Sequence, residues 1–221
     1  IIIAPHPRAK KCAKVVTDLF RKEIEKQGAP ADLVLLVEEP STALSAELMS
    51  KCDVVVATGG MGMVKAAYSS GKPAYGVGAG NVQCIIDRGV NYAEAAPKII
   101  EGRRFDNGII CSGEQTIILP KEDYAEIIEI FVKNGCAYIE KPEDVEKLKK
   151  TLFTITETGG FAMNKNLVGQ SAVKVAETAG ITVPADTKVL LVKADCCGRG
   201  DCLSKEKMCP VISTYSYDSW E

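Results

Sequence analysis

The sequence has 221 residues, of which 46% are hydrophobic and 25% charged, and its net charge is -2. That balance gives no general pull toward nucleic acid or an anionic membrane surface, so neither is an expected partner; no apolar run approaches the ~20 residues of a membrane span. No charged-then-apolar secretion signal opens the chain, so a cytoplasmic protein of one large or two small domains is the reading.

The first residue is Ile1 rather than Met, and IIIAP already reads as a strand. The end, TYSYDSWE, stops without a cap or tail, so the expectation is the middle of a longer protein. The nine cysteines are odd in number and scattered, which favours reduced thiols over a disulfide framework.

In chain order, Ile1 to Ala4 is a short strand. Ala9, Cys12, Ala13, Val16, Leu19, Phe20 and Ile24 recur on one face of a helix over Arg8 to Gln27, ended by Gly28-Ala29-Pro30. Leu33 to Val37 reads as a parallel strand buried on both faces. Ser41 can cap a helix reaching Met49. Asp53 to Ala57 is the next strand, Met63 to Ser70 a helix, and Pro73 to Val77 a further strand. This alternation predicts a doubly wound parallel sheet.

The glycine cluster Gly76 to Asn81 breaks the pattern and is the candidate domain boundary. An apolar Cys84-Ile85-Ile86 follows, then a helix from about Asn91 to Arg103, a turn holding Cys111, and a strand over Thr116 to Leu119. Helices follow over Tyr124 to Lys133, from Pro142, and over Ser171 to Thr178 with Gly180 as its stop. Lys188 to Val192 is a late strand.

Two turns point to chemistry. VVVATGGMG is a strand entering a glycine turn that opens a helix, a geometry that suits a phosphate-bearing cofactor at Thr58 to Gly62. It is neither a dinucleotide fingerprint nor a phosphate-binding loop with Gly-Lys-Ser/Thr, so by itself the signal is weak, and a tight turn needing glycine for geometry is the default reading. DNGIICSGEQ sets Cys111 between Asn107-Gly108 and Ser112-Gly113. Such a thiol can face a cleft, and its own backbone N–H can help hold an oxyanion. Cys12, Cys52, Cys84 and Cys136 sit in apolar patterns and read as core residues. The single histidine, His6, lies between two prolines and suits a local cap better than a catalytic pair.

Three stretches in this order, TGGMGMVKAAYSSGKPAYGVGAGN, DNGIICSGEQTIIL and LSKEKMCPV, resemble the aldehyde dehydrogenase superfamily. The likeness is strongest to its CoA-acylating branch, which includes the aldehyde dehydrogenase half of bifunctional aldehyde-alcohol dehydrogenases. IIIAPHPRAKK and NLVGQSAVKVAETAGITVPADTKVLLV carry the same resemblance, which covers nearly the whole chain. It implies an α/β fold: a Rossmann-like parallel sheet followed by a catalytic α/β domain, here 1–79 (part of the NAD-binding domain) and 80–221. It implies Cys111 as nucleophile, with Thr58, Gly59, Gly60 and Met61 at the NAD cofactor. Glu206 falls where the superfamily's Glu-x-Phe-Gly-Pro glutamate contacts the nicotinamide ribose, although Met208 and Cys209 replace its Phe and Gly.

Hydrolytic members carry Glu-Leu-Gly-Gly where this chain has Gly76-Val77-Gly78-Ala79. Without a carboxylate at 76, water lacks its general base and a Cys111 thioester survives until a thiol, coenzyme A, attacks it. The resemblance thus implies reversible oxidation of a short aldehyde to acyl-CoA with NAD, in a homo-oligomer, in the cytoplasm or a bacterial microcompartment. It also implies an oxyanion-hole asparagine upstream of Ile1 and further segments after Glu221. A non-acylating enzyme and a silent scaffold of the same fold are the alternatives.

Cys196, Cys197, Cys202 and Cys209 lack zinc-site spacing, so no metal is expected. Arg199-Gly200-Asp201 spells a cell-adhesion tripeptide by chance. Arg103-Arg104 and Lys10-Lys11 could meet cofactor phosphates, with solvated helix ends as the default.

Overall fold

The computed structural model describes residues 1–157, 159–198 and 200–219, so the first residue of the Arg199-Gly200-Asp201 tripeptide lies outside the described residues. The chain divides into two compact units, Ile1–Ala79 and Gly80–Glu221.

The first unit runs β1 (Ile2–Ile3), α1 (Lys10–Lys26), β2 (Leu35–Leu36), α2 (Thr42–Lys51), β3 (Val55–Thr58), α3 (Met61–Tyr68) and β4 (Ala74–Val77). Ser41 starts α2 as expected, its Oγ accepting the Leu44 N–H at 3.1 Å. All pairings are parallel, but the strands form two separate pairs, β1–β2 and β3–β4, rather than one doubly wound sheet. With two residues each, β1 and β2 are too short to extend a ladder. The buried core is small: Val55, Ala57 and Ala67, with Met49, Cys52 and Ala74 against them.

Two expectations for this unit are corrected. The run Leu33–Val37 is not a strand buried on both faces, since Leu33 and Leu35 are exposed. The apolar stripe of α1 exists, yet Thr17 is its one buried residue and Val16, Leu19 and Phe20 are 49%, 56% and 57% exposed. Cys12 on that helix is exposed, not core. The cause is width: a pair of two-residue strands covers only part of a helix face. Cys52 and Cys84 are half-buried and Cys136 is buried.

The second unit runs β5 (Val82–Ile85), α4 (Tyr92–Arg104), β6 (Glu114–Pro120), α5 (Tyr124–Lys133), β7 (Cys136–Ile139), α6 (Pro142–Leu152), β8 (Phe153–Ile155), β9 (Phe161–Met163), α7 (Ala172–Thr178), β10 (Val189–Lys193) and β11 (Val211–Tyr217). Strands β8 and β9 make an antiparallel hairpin. The others form one parallel sheet in the order β5-β6-β11-β10-β7.

The alternation of side chains along a strand fills both faces of this sheet. Val189, Leu191 and Ile212 pack with Ile99 and Ile100 of α4 and Ile127 and Phe131 of α5. Leu190, Val192 and Val211 pack with Leu148 and Leu152 of α6 and Val175 and Ala176 of α7. Each fully buried Val, Leu, Ile or Phe among them contributes roughly 1.5–3 kcal/mol. Because the strands run parallel, their amino ends share one edge, and the segments before β5, β6 and β11 meet there.

Candidate active site

The segment before β6 is shaped by its backbone. Asp106, Asn107 and Gly108 all have positive φ, at 48°, 49° and 72°. Asp and Asn are the non-glycine residues that tolerate this region best. Gly108 is obligatory, since a Cβ there would stand 2.7 Å from the carbonyl carbon and oxygen of Cys209. The chain then turns through Ile110 to Gly113, whose N–H donates to the Ile110 carbonyl at 3.1 Å. Cys111 sits on this turn, exposed.

Gly80, just before β5, touches both candidate groups of this unit. A Cβ on Gly80 would lie 2.5 Å from the Cys111 carbonyl oxygen and 2.9 Å from Cys111 Cβ, so the Cys111 turn rests on its bare backbone. Its N–H donates to Glu206 Oε1 at 3.2 Å. The next residue reinforces the contact, Asn81 Nδ2 donating to the Ser204 carbonyl at 2.7 Å. Cys111 and the Glu206 carboxylate are therefore brought together through one residue. Desolvation pushes the Glu206 carboxyl above its ordinary value, while the Gly80 N–H and the Arg103 charge act the other way.

Beneath this cluster lie two buried basic side chains. Arg103 is fully buried, which corrects the expected solvated helix end; Arg104 is exposed and pairs with Glu101 at 2.9 Å. The cause is tertiary. Arg103 reaches the carbonyls of Lys207, Cys209 and Val211, more than a hundred residues away. Lys207 is also fully buried; its Nζ donates to the Leu203 and Lys205 carbonyls at 2.8 and 3.0 Å, and its N–H to Gln115 Oε1 at 2.9 Å. Burial lowers the Lys207 ammonium to about 7 and the Arg103 guanidinium to about 10. Local pattern hid both roles.

Thr58, Gly59, Gly60 and Met61 form one turn in the first unit. The Gly59 N–H donates to the Val77 carbonyl at 3.0 Å. Gly60 is the N-cap of α3 and no side chain caps it. A Cβ on Gly60 would meet nothing within 4 Å, so the approach to this helix start is open. Met61 is 58% exposed. At position 76 there is no room for a side chain: a Cβ would stand 2.7 Å from Val64 Cγ1 and 2.8 Å from Tyr68 Cε2. Tyr68 is fixed there by its hydroxyl, which accepts the Gly76 N–H at 3.1 Å and reaches the Gly76 carbonyl at 3.4 Å.

His6 is a local cap, its Nδ1 accepting the Arg8 N–H at 3.2 Å. Lys10 pairs with Glu39 at 2.6 Å. Among the described residues, no group of three or more His, Cys, Asp or Glu could hold a metal ion, and no helix is long and apolar enough to cross a membrane.

The second unit is thus a parallel α/β unit in which an exposed cysteine and a backbone-bound carboxylate meet on either side of one glycine. The homologues of this chain are acylating aldehyde dehydrogenases. The chain is 50% identical over all 221 residues to a succinate-semialdehyde dehydrogenase (acetylating) of Clostridium kluyveri, of which it spans 48%. It matches the structure of an acetylating aldehyde dehydrogenase from Geobacillus thermoglucosidasius with TM-score 0.91 at 34% identity, over 99% of this chain and 48% of that one. It also matches a Rhodopseudomonas palustris propionaldehyde dehydrogenase with bound propionyl-CoA, with TM-score 0.85 at 32% identity, over 99% of this chain and 47% of that one. The chain thus spans about half the length of these proteins. No family model matches it.

Proposed function

We propose that the chain carries the nucleophile of a CoA-acylating aldehyde dehydrogenase, with residues 1–79 forming part of the NAD-binding domain and 80–221 the catalytic domain. The observation that carries this reading is the seating of exposed Cys111 against Gly80, whose N–H also binds Glu206.

In the proposed reaction Cys111 Sγ adds to the aldehyde carbon, forming a C–S bond and an oxyanion that the Cys111 backbone N–H helps to hold. A bound nicotinamide nucleotide supplies the hydride acceptor. The resulting thioester on Cys111 is attacked by the thiolate of coenzyme A, which releases acyl-CoA and returns the cysteine. The turn at Thr58 to Met61 fits a phosphate-bearing nucleotide, because α3 begins at a glycine with no side-chain cap and open space before it. Glu206 would orient the nucleotide's ribose. Tyr68, lying over position 76, leaves no place for a water-activating carboxylate, which favours a thiol as acceptor. The bound propionyl-CoA of the Rhodopseudomonas protein supports coenzyme A as co-substrate. A short aldehyde, a homo-oligomeric enzyme and a cytoplasmic or microcompartment location complete the reading.

The test is reduced-nucleotide formation by the full-length enzyme, with aldehyde and CoA present and with NAD and NADP in separate arms. Cys111→Ala abolishes it, and omitting CoA stops turnover after the first acylation. Activity retained by the alanine variant refutes the assignment.

A further inference from the structure

Arg103 occupies the last turn of α4 with no exposed surface. Its Nε donates to the Val211 carbonyl at 3.1 Å, and its Nη2 to the carbonyls of Lys207 and Cys209. All three acceptors lie in the segment that leaves Glu206 and enters β11. The remaining nitrogen, Nη1, has no hydrogen-bond partner among the described residues. It lies 3.6 Å from where a Cβ of Gly113 would stand, against the Cys111 turn. Glu114 and Glu206 act on the guanidinium through their charge, without a direct ion pair among the described residues.

Burying a guanidinium on backbone carbonyls alone is expensive, and an apolar side chain would fill the same space at lower cost. Its geometry shows what the cation adds. A planar fork reaches three carbonyls from two nitrogens held in a fixed plane, a rigidity that a point-like ammonium on a flexible stem lacks. It also sets a fixed positive charge beside a half-buried carboxylate.

We infer that Arg103 is a positioning residue: acting through residues 206–211, it holds the Glu206 carboxylate aimed across Gly80 and thereby sets the affinity for the nicotinamide nucleotide. The inference rests on the reading above that Glu206 meets the nucleotide. Arg103 reaches no substrate itself, so its effect runs wholly through Glu206.

The experiment is a double-mutant cycle in the full-length enzyme, reading the nucleotide Kd by calorimetric titration in the absence of aldehyde and CoA, alongside its KM and kcat at saturating aldehyde and CoA, with Kd expected to move as KM does. Glu206→Gln raises the nucleotide KM roughly tenfold or more, as loss of a charge-assisted hydrogen bond does. Arg103→Met raises the same KM by a comparable factor with a smaller change in kcat. The two substitutions together do no more than the worse one alone, and Arg103→Lys restores part of the loss. Independent factors that multiply, or an Arg103→Met effect confined to kcat or to thermal stability, overturn the inference. Should Glu206→Gln leave the nucleotide KM unchanged, the underlying reading of Glu206 fails, and the inference with it. If the methionine variant does not fold, Arg103→Lys carries the test. It loses the fork, so its KM rises in the wild-type background but not in the Glu206→Gln background. An equal rise in both overturns the proposal.

Discussion

The contact between Gly80 and the Cys111 turn makes a strong prediction. Gly80→Ala adds one methyl group whose carbon would fall 2.5 Å from the Cys111 carbonyl oxygen and 2.9 Å from Cys111 Cβ. Comfortable carbon contacts lie at about 3.5 Å. The turn must therefore retreat by roughly 0.5–1 Å, since backbone on both sides of the contact cannot swing aside. A misplacement of about 1 Å at a reacting atom costs about a hundredfold in rate. We expect kcat to fall ~10- to 100-fold and stability to drop by about 1–3 kcal/mol, the usual range for overpacking. Steady-state kinetics with aldehyde, CoA and nucleotide give the first quantity and a denaturation midpoint the second. Titration of the Cys111 thiol with iodoacetamide confirms that the thiol is still accessible. A variant with kcat within twofold of wild type and an unchanged alkylation rate refutes the argument that Gly80 seats the proposed nucleophile.

Two further predictions concern buried groups. Lys207 titrates near 7 in the folded chain and at 10.5 when free, so between these values the unfolded state holds more protons and stability rises with pH. The rise is up to about 1.4 kcal/mol per pH unit. It is cleanest between pH 7 and 9, because burial pushes the Cys209 thiol from 9.0 to about 12 and opposes the trend at higher pH. Lys207→Met removes this slope in urea denaturation at pH 7, 8 and 9; equal slopes for both proteins contradict the burial argument. Gly76→Glu drives a Cβ to 2.7 Å from Val64 Cγ1 and 2.8 Å from the Tyr68 ring, and lowers the thermal midpoint. It produces no CoA-independent acid formation. Adding Tyr68→Ala recovers part of the stability, and a single variant as stable as wild type refutes the clash.

Local pattern was a good guide where a helix packs one face on the sheet. Ile127, Ile128 and Phe131 mark α5 from the sequence, and Tyr124–Lys133 is the helix observed. It failed at β11, which lies at the centre of the five-stranded sheet yet received no assignment from the sequence. Ser213 and Thr214 on that strand are buried, and their hydroxyls donate to the Leu203 and Val192 carbonyls. Those acceptors are supplied by other segments, so residue type alone suggested solvent. The hairpin of β8 and β9 was missed because three-residue strands carry almost no periodicity. At the site, turn residues singled out Cys111, whereas Glu206 came only from the family resemblance. Arg103 was misread because its burial depends on carbonyls distant in sequence. Gly80 stood in the glycine cluster, but what makes it necessary is the turn it meets at residue 111, a contact invisible to spacing.

The parallel sheet places the Cys111 turn, Gly80 and Glu206 at the ends where strands β6, β5 and β11 begin. The connections that leave β6 and β7, at residues 121–123 and 140–141, therefore emerge from the opposite edge. Those two loops are natural attachment points for a label, an affinity handle or a surface tether. An immobilised form joined there would keep the length of the strands between the support and the Cys111 thiol.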